Sequence, residues 1–335
     1  MLLELRLNLR PRLRFLLPWL LATLLAACTA STPTAPPSVV PSQAAGSPAS
    51  VGSANPADLA TPAAGGPPIA VLGTENFYAD LLMQIGGERV QATSFINDPN
   101  ADPHEFESSP QDAATVADSK IVIENGLGYD DFMQQLIGAS PNSSRVVINV
   151  QQLLGLPDDV NVHVWYAPAT MPRVAAAAEA ALAQIEPANA DYFSARERAY
   201  IVSLSAITDR VAMLKQGYAG APIAFTENVA GYLTDQIGLV VKTPLGFMKA
   251  IEEGTDPAPA DVAGERDLFT NKAVKVLLYN SQVVSPTTET IHDLAAANGV
   301  PIVGVAETIP AQYHTFVEWQ VAQLDALAQA LGQGG

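Results

Sequence analysis

Cysteine occurs once in this chain, histidine four times, and basic side chains number 17 against 34 acidic ones. A lone thiol excludes an internal disulfide, and it excludes the paired Cys-x-x-Cys spacing of structural zinc sites. The shortage of Lys and Arg, with a formal charge of −17, sets the chain against phosphate backbones, so nucleic acid is not an expected partner. Cations suit such a surface better. There is no HExxH, no serine nucleophile elbow and no phosphate-binding glycine loop, so no local motif marks an enzyme. Apolar runs are short as well. FLLPWLLATLLAA falls below the roughly 20 residues that a membrane-spanning helix needs.

That short run follows Arg6, Arg10, Arg12 and Arg14, which is the pattern of a secretory leader over residues 1–27. It ends in Leu25-Ala26-Ala27-Cys28, which resembles a bacterial lipobox. The resemblance implies that Cys28 becomes the lipid-modified first residue of the mature protein, anchored to the cell membrane outside the cytoplasm. One acyl chain anchors marginally, and several on one cysteine would hold firmly. Residues 28–68 are dominated by Ser, Thr, Pro, Ala and Gly without apolar periodicity, so they cannot bury enough surface to offset their ordering entropy. They read as a flexible tether. Taking away residues 1–27 removes four Arg and Glu4 and leaves 13 basic against 33 acidic side chains, a formal −20.

From Ile69 onward, short β-rich runs alternate with helical segments. IAVLG, RVQATSFI, KIVIE and RVVINV read as strands in the first half; PIAFT, VKVLLYN and PIVGV do so in the second. Ser109 is placed to cap a helix over SPQDAATVADS. This alternation predicts α/β architecture: two lobes, each with a mostly parallel sheet flanked by helices. The expected boundaries are 69–171 for the first lobe, 172–216 for a helical connector and 217–335 for the second lobe. From Pro187 to Lys215 the helical pattern is nearly unbroken for 29 residues, which predicts one long helix of roughly 40 Å joining the lobes.

The candidate site residues are picked out by where they fall. In open α/β sheets, ligands bind beyond the carboxyl ends of the strands. DPNADPHEFESS follows the second strand and displays His104 after a proline. His163 lies in NVHVWYAP, Glu227 directly follows PIAFT, and Glu307 sits just past PIVGV. Two metal-ligating groups therefore stand past strand ends in each half, which is what a cleft between two lobes requires. Taken singly, each has a plainer explanation: a surface loop, a core histidine, or a glutamate at a helix start favoured by the dipole. His292 and His314 are left out of the set, the first as a surface residue within a helix.

DPHEFESSPQDAATVADSKIVIENGLGYDDFM, NVHVWYAPATMPRVA, TENVAGYLTDQIGL with the EEGTDPAP loop, and PIVGVAETIP resemble, in order, four segments of the zinc/manganese-type solute-binding lipoproteins of ABC importers. The likeness covers roughly 69–332. It implies two lobes joined by a rigid helix, with one Zn²⁺ or Mn²⁺ as transported ligand held by His104, His163, Glu227 and Glu307. It also implies delivery to an ABC permease with its ATPase, a monomer, and no enzymatic reaction. Glu227 stands where zinc-type members commonly have histidine, and Glu307 where aspartate is usual. Ala167 replaces an acidic residue, which removes one possible acceptor for a ligand imidazole. The competing readings are a metal-dependent hydrolase, with Glu105 beside His104 as its base, and a surface adhesin on the same scaffold.

Overall fold

A computed structural model of the chain describes residues 61–63 and 65–333. The leader, Cys28 and nearly all of the tether lie outside the described residues. The first lobe runs β1 (Ile69–Gly73), α1 (Asn76–Gly86), β2 (Val90–Thr93), α2 (Pro110–Asp118), β3 (Ile121–Glu124), α3 (Phe132–Ala139), β4 (Val146–Asn149) and α4 (Val150–Leu154). Its sheet is entirely parallel, in the order β2-β1-β3-β4. Helices on both faces bury such strands completely. That is why IVIE in β3 is buried at all four positions and reads as a continuous apolar run closed by a glutamate.

α5 (Thr170–Ile185), α6 (Ala190–Ser203) and α7 (Ser205–Tyr218) lie along the chain between the two sheets. The single helix expected over 187–215 is interrupted at Leu204. Leu204 keeps helical torsions, φ −63° and ψ −18°, so the chain turns without leaving the helical region. The Ser203 hydroxyl donates to Tyr200 O at 2.7 Å, the kind of back-bonding that bends a helix.

The second lobe runs β5 (Pro222–Phe225), α8 (Gly231–Ile237), β6 (Val240–Val241), α9 (Leu245–Glu252), α10 (Pro259–Thr270), β7 (Leu277–Asn280), α11 (Pro286–Ala297), β8 (Ile302–Val305) and α12 (Phe316–Gln333). Its parallel sheet has the order β6-β5-β7-β8, the same winding as the first. In each lobe the chain leaves its first strand to one side and then returns to the other. That creates a switch point, between β1 and β3 in the first lobe and between β5 and β7 in the second.

The lobes share an apolar core. Phe77 of α1 stacks on Trp165 at 4.6 Å between ring centroids, and lies 6.3 Å from Trp319 of α12; all three are buried. Asn76 ties the lobes by a reciprocal pair: its amide donates to Ile309 O at 3.0 Å and its Oδ1 accepts from Ile309 N at 2.9 Å. Asp80 adds a third link by accepting from Phe316 N.

Candidate metal centre

The loop after β2 presents His104 from a short 3-10 turn, Pro103–Glu105, whose first backbone N–H groups need partners. Asp102 supplies one, accepting from His104 N at 2.9 Å. Packed rings anchor the loop's far end: Phe106 lies 4.6 Å from Phe132, tilted against it, and stacks on Phe95 at 6.2 Å. On the other side Gln282, which follows β7, donates to Asp98 O and Ala101 O at 3.3 and 3.0 Å.

His163 is fully buried. Its ring Nδ1 lies 2.7 Å from Asn161 Oδ1, which also accepts from the His163 backbone N–H at 3.0 Å. An amide oxygen can only accept, so Nδ1 carries a proton and Nε2 points into the centre. Asn161 thus provides an acceptor that Ala167 cannot, from a position that the sequence reading overlooked. It is itself fixed by donating to Asn228 O at 2.6 Å and by accepting at its own carbonyl from Tyr232 Oη at 2.8 Å. Gly231 lets these groups meet: a Cβ there would overlap the Asn228 side chain and press on Asn161 Nδ2.

Glu227 and Glu307 are also completely buried, and both stand just past the ends of parallel strands, β5 and β8. Between those strands lies β7, and its last residue, Asn280, reaches both. Asn280 Nδ2 donates to Glu227 Oε2 at 2.6 Å and to Glu307 Oε1 at 2.7 Å. Tyr129 Oη donates to Glu307 Oε2 at 3.0 Å. Tyr129 is aimed by a tight loop in which Gly126, Leu127 and Gly128 all have left-handed torsions, φ 77°, 60° and 81°. Asp130 holds that loop by accepting from Asn125 N and Gly126 N at 2.7 and 2.8 Å. Gln282 Oε1 accepts from Glu307 N at 2.6 Å and from Thr308 N at 3.1 Å, which fixes the backbone of the fourth candidate donor.

The four candidates converge. One donor atom from each of His104, His163, Glu227 and Glu307 lies within 4.8 Å of all the others. Glu227 Oε1 is 3.5 Å from His104 Nε2 and 3.4 Å from His163 Nε2; Glu307 Oε2 is 3.5 and 3.1 Å from the same nitrogens. Only the 3.1 Å approach of His163 to Glu307 is a hydrogen bond; the other three spacings are long for charge-assisted ones. They match the edges of a tetrahedron with donor-to-centre lengths of about 2.0–2.1 Å, edges of about 3.3–3.4 Å, which suits Zn–N and Zn–O bonding. Glu227 Oε1 is buried with no hydrogen-bond partner, an expensive condition for a carboxylate oxygen unless a cation takes it. The donor set therefore fits a single divalent ion. His292 and His314 lie outside this group. Glu105 is exposed.

The electrostatics depend on the two carboxylates. Burial pulls both imidazoles towards the neutral form, but close contact with the negative carboxylates of Glu227 and Glu307 outweighs it, raising His163 to about 9 and His104 to about 11. Burial pushes the Glu307 carboxyl up, and the two imidazoles more than reverse that, holding it well below the usual carboxylate range. His104 is the only one of the four with solvent access, its side chain 23% exposed against 0% for the others. The candidate site therefore meets solvent on the His104 side.

Sequence reasoning searched strand ends for ligating side chains only. The same rule applied to amides points to Asn280 at the end of VKVLLYN. Tyr129 and Asn161 carry no comparable signal: Tyr129 acts on a residue 178 positions away, and Asn161, two residues before His163, is itself fixed by Asn228 and Tyr232, 67 and 71 positions on.

The family model described as zinc-uptake complex component A, periplasmic, matches residues 71–330. The manganese-binding lipoprotein MntA of Halalkalibacterium halodurans is 25% identical over 244 residues, covering 67% of this chain and 79% of that protein. Among solved structures, the periplasmic zinc-binding protein TroA of Treponema pallidum superposes with a TM-score of 0.68 at 20% identity, over 79% of this chain and 99% of that one. The solute-binding protein FpvC of Pseudomonas aeruginosa, in complex with Mn²⁺, gives 0.66 at 23% identity, over 80% and 100%. Both share the two-lobed fold.

Proposed function

The chain belongs to the family of periplasmic zinc-uptake complex component A, and from that membership we propose that it captures one divalent transition metal, zinc ahead of manganese, and passes it to a membrane permease driven by a cytoplasmic ATPase. Members of the family are extracytoplasmic solute-binding components of metal importers and not enzymes. His104, His163, Glu227 and Glu307 are the proposed ligands. The observation that carries this reading is the convergent quartet of donors, two from each lobe and three of them fully buried, with each carboxylate 3.1–3.5 Å from each imidazole nitrogen. Two neutral imidazoles and two carboxylates give zinc a full coordination shell with one oxygen from each carboxylate. Manganese favours more oxygen contacts, so both carboxylates would have to bind through two oxygens to satisfy it. The relative named for manganese binding keeps Mn²⁺ as the second candidate cargo.

Cys28 is the proposed lipid anchor. It is supported by the small residues before it and by the relative that is named a lipoprotein. The division into leader 1–27, tether 28–68, lobes 69–171 and 217–335 and connector 172–216 belongs to the same reading, as does a monomeric state.

Metal analysis of protein purified without chelator, followed by direct competition between Zn²⁺ and Mn²⁺ at neutral pH, tests the assignment. Bound zinc near one equivalent, retained against equimolar Mn²⁺, is expected. Displacement of Zn²⁺ by equimolar Mn²⁺ would reverse the order of the two metals, and protein that takes up neither would end the reading.

A further inference from the structure

The sheet order of the second lobe places β7 between β5 and β8, so the last residue of β7 stands between the glutamates that follow its two neighbours. Asn280 is that residue, and it is fully buried. Its orientation is fixed from both ends. Its backbone N–H donates to Thr226 Oγ1 at 2.9 Å, and its side-chain Oδ1 accepts from Gln282 N at 3.0 Å. With Oδ1 occupied, both N–H groups of Nδ2 face the glutamates, one to Glu227 Oε2 and one to Glu307 Oε1. A flipped amide would set its oxygen against two carboxylate oxygens and leave Gln282 N facing a donor.

The consequence lies in the oxygens that remain. Each glutamate has one oxygen committed to Asn280 and the other turned towards the imidazoles, Oε1 of Glu227 and Oε2 of Glu307. An oxygen that accepts a hydrogen bond can still face a cation, as Glu307 Oε2 would beside Tyr129 Oη, so Asn280 acts by orientation. Binding through both oxygens would require each carboxylate to turn away from the amide that aims it, stretching that hydrogen bond. Asn280 and both glutamates are fully buried, so the turned amide would be left with weakened or unpaired donors away from solvent. We propose that Asn280 determines metal selectivity by holding both carboxylates to one oxygen each, so that the site offers four donors and discriminates against ions that demand five or six. The inference rests on the metal-binding function proposed above. The excluded class is hard, oxygen-seeking cations such as Mn²⁺ and Mg²⁺; the favoured class accepts tetrahedral N₂O₂ ligation.

The test compares the purified protein with Asn280→Ala. Two quantities are read: the ratio of Zn²⁺ to Mn²⁺ affinity by competition, and the visible absorption of the Co²⁺-loaded form, which is intense for four-coordinate and weak for six-coordinate cobalt. The parent protein is expected to give the intense spectrum. Asn280→Ala is expected to lower the Zn²⁺-to-Mn²⁺ ratio at least tenfold and to weaken the cobalt bands. Equal losses of affinity for both metals, with an unchanged cobalt spectrum, would overturn the proposal and leave Asn280 a purely structural residue. If Asn280→Ala does not fold, Asn280→Ser retains one donor and is expected to shift the ratio part of the way; an unmoved ratio there overturns the proposal equally. A parent protein that binds no divalent metal, or in which Glu227→Ala leaves zinc affinity intact, defeats the underlying function and this inference with it. That failure shows before any Asn280 variant is made.

Discussion

The four proposed ligands are held by different partners, and each partner is a point at which the site can be weakened. Asp102 fixes the His104 turn, Asn161 fixes the His163 tautomer, and Asn280 with Tyr129 fixes the two carboxylates. Replacing any one of His104, His163, Glu227 or Glu307 by alanine should weaken zinc binding at least tenfold, about 1.4 kcal/mol, measured by competition with a chromophoric chelator. His314→Ala should leave affinity unchanged, because that residue is exposed and outside the group. A larger loss from His314→Ala than from Glu307→Ala would mean that the fourth ligand is misassigned. A separate feature of the first lobe is Glu75, buried with no hydrogen-bond partner on either carboxylate oxygen. Burial, then repulsion from Asp130, raises its pKa well above the ordinary value; burial also raises Asp130 to about 7. Both groups bind protons more tightly folded than unfolded. Their linkage therefore makes stability fall as pH rises from the unfolded carboxyl range, near 4, through about 7 for Asp130. Glu75→Gln removes one titrating group while keeping its shape. Melting temperatures between pH 5 and 8 should decline less steeply in that variant than in the parent, and an unchanged slope would show that Glu75 stays ionised.

Among the elements, the loop between β2 and α2 is the one that links solvent to the site, since it carries the only partly exposed ligand. Gln282 clamps it, donating to two of its carbonyls while accepting from the Glu307 and Thr308 backbone. Gln282→Ala should accelerate zinc release to excess chelator, seen in stopped flow, more than it alters the rate of capture. Equal slowing of both rates would point to a general loss of structure. Element by element, the sequence announces the fold wherever local pattern and tertiary demand agree. IAVLG coincides with β1, and Ser109 does cap α2, through a capping box with Asp112. Elements without a periodic signal stay hidden: β6 is two residues long, and α9 follows Pro244 without a side-chain cap. The bend at Leu204 depends on a serine hydroxyl choosing a carbonyl one turn back, which no periodicity encodes. The four candidate ligands could be read from strand ends because β-α-β winding places those ends together. Among their partners Asn280 also stands at a strand end, whereas Tyr129 reaches Glu307 across 178 residues, a pairing that no local pattern encodes.

Across the whole molecule, the proposed capture of a metal needs donors from both lobes at once and would release protons. The shared core and the Asn76 pair with Ile309 hold the lobes in contact, and Phe77→Ala in that core should cost about 3–5 kcal/mol, read from denaturant unfolding. Added metal binds only the folded arrangement that assembles two donors from each lobe, so zinc at a hundredfold excess over its dissociation constant should stabilise by about 2.7 kcal/mol, and chelator should remove that gain. The charge balance sets the pH dependence. Without metal, the two carboxylates keep His163 protonated up to about 9 and His104 up to about 11. Those raised values stabilise the metal-free fold fully below the unfolded imidazole range near 6.5, a contribution lost as pH rises through about 9 for His163 and about 11 for His104. A metal ion reverses the preference, because imidazole must be neutral to ligate. At pH 7 each captured ion therefore has to expel a proton from both histidines, and affinity should rise by close to two logarithmic units for each unit of pH. The ordinary imidazole range alone would place the loss of binding near pH 6.5; the two glutamates move it well above that. Isothermal titration of zinc at pH 7 in two buffers of different ionisation enthalpy counts the protons directly. A release near two supports the charge pairing, and a release near zero would mean that the histidines are already neutral in the metal-free protein.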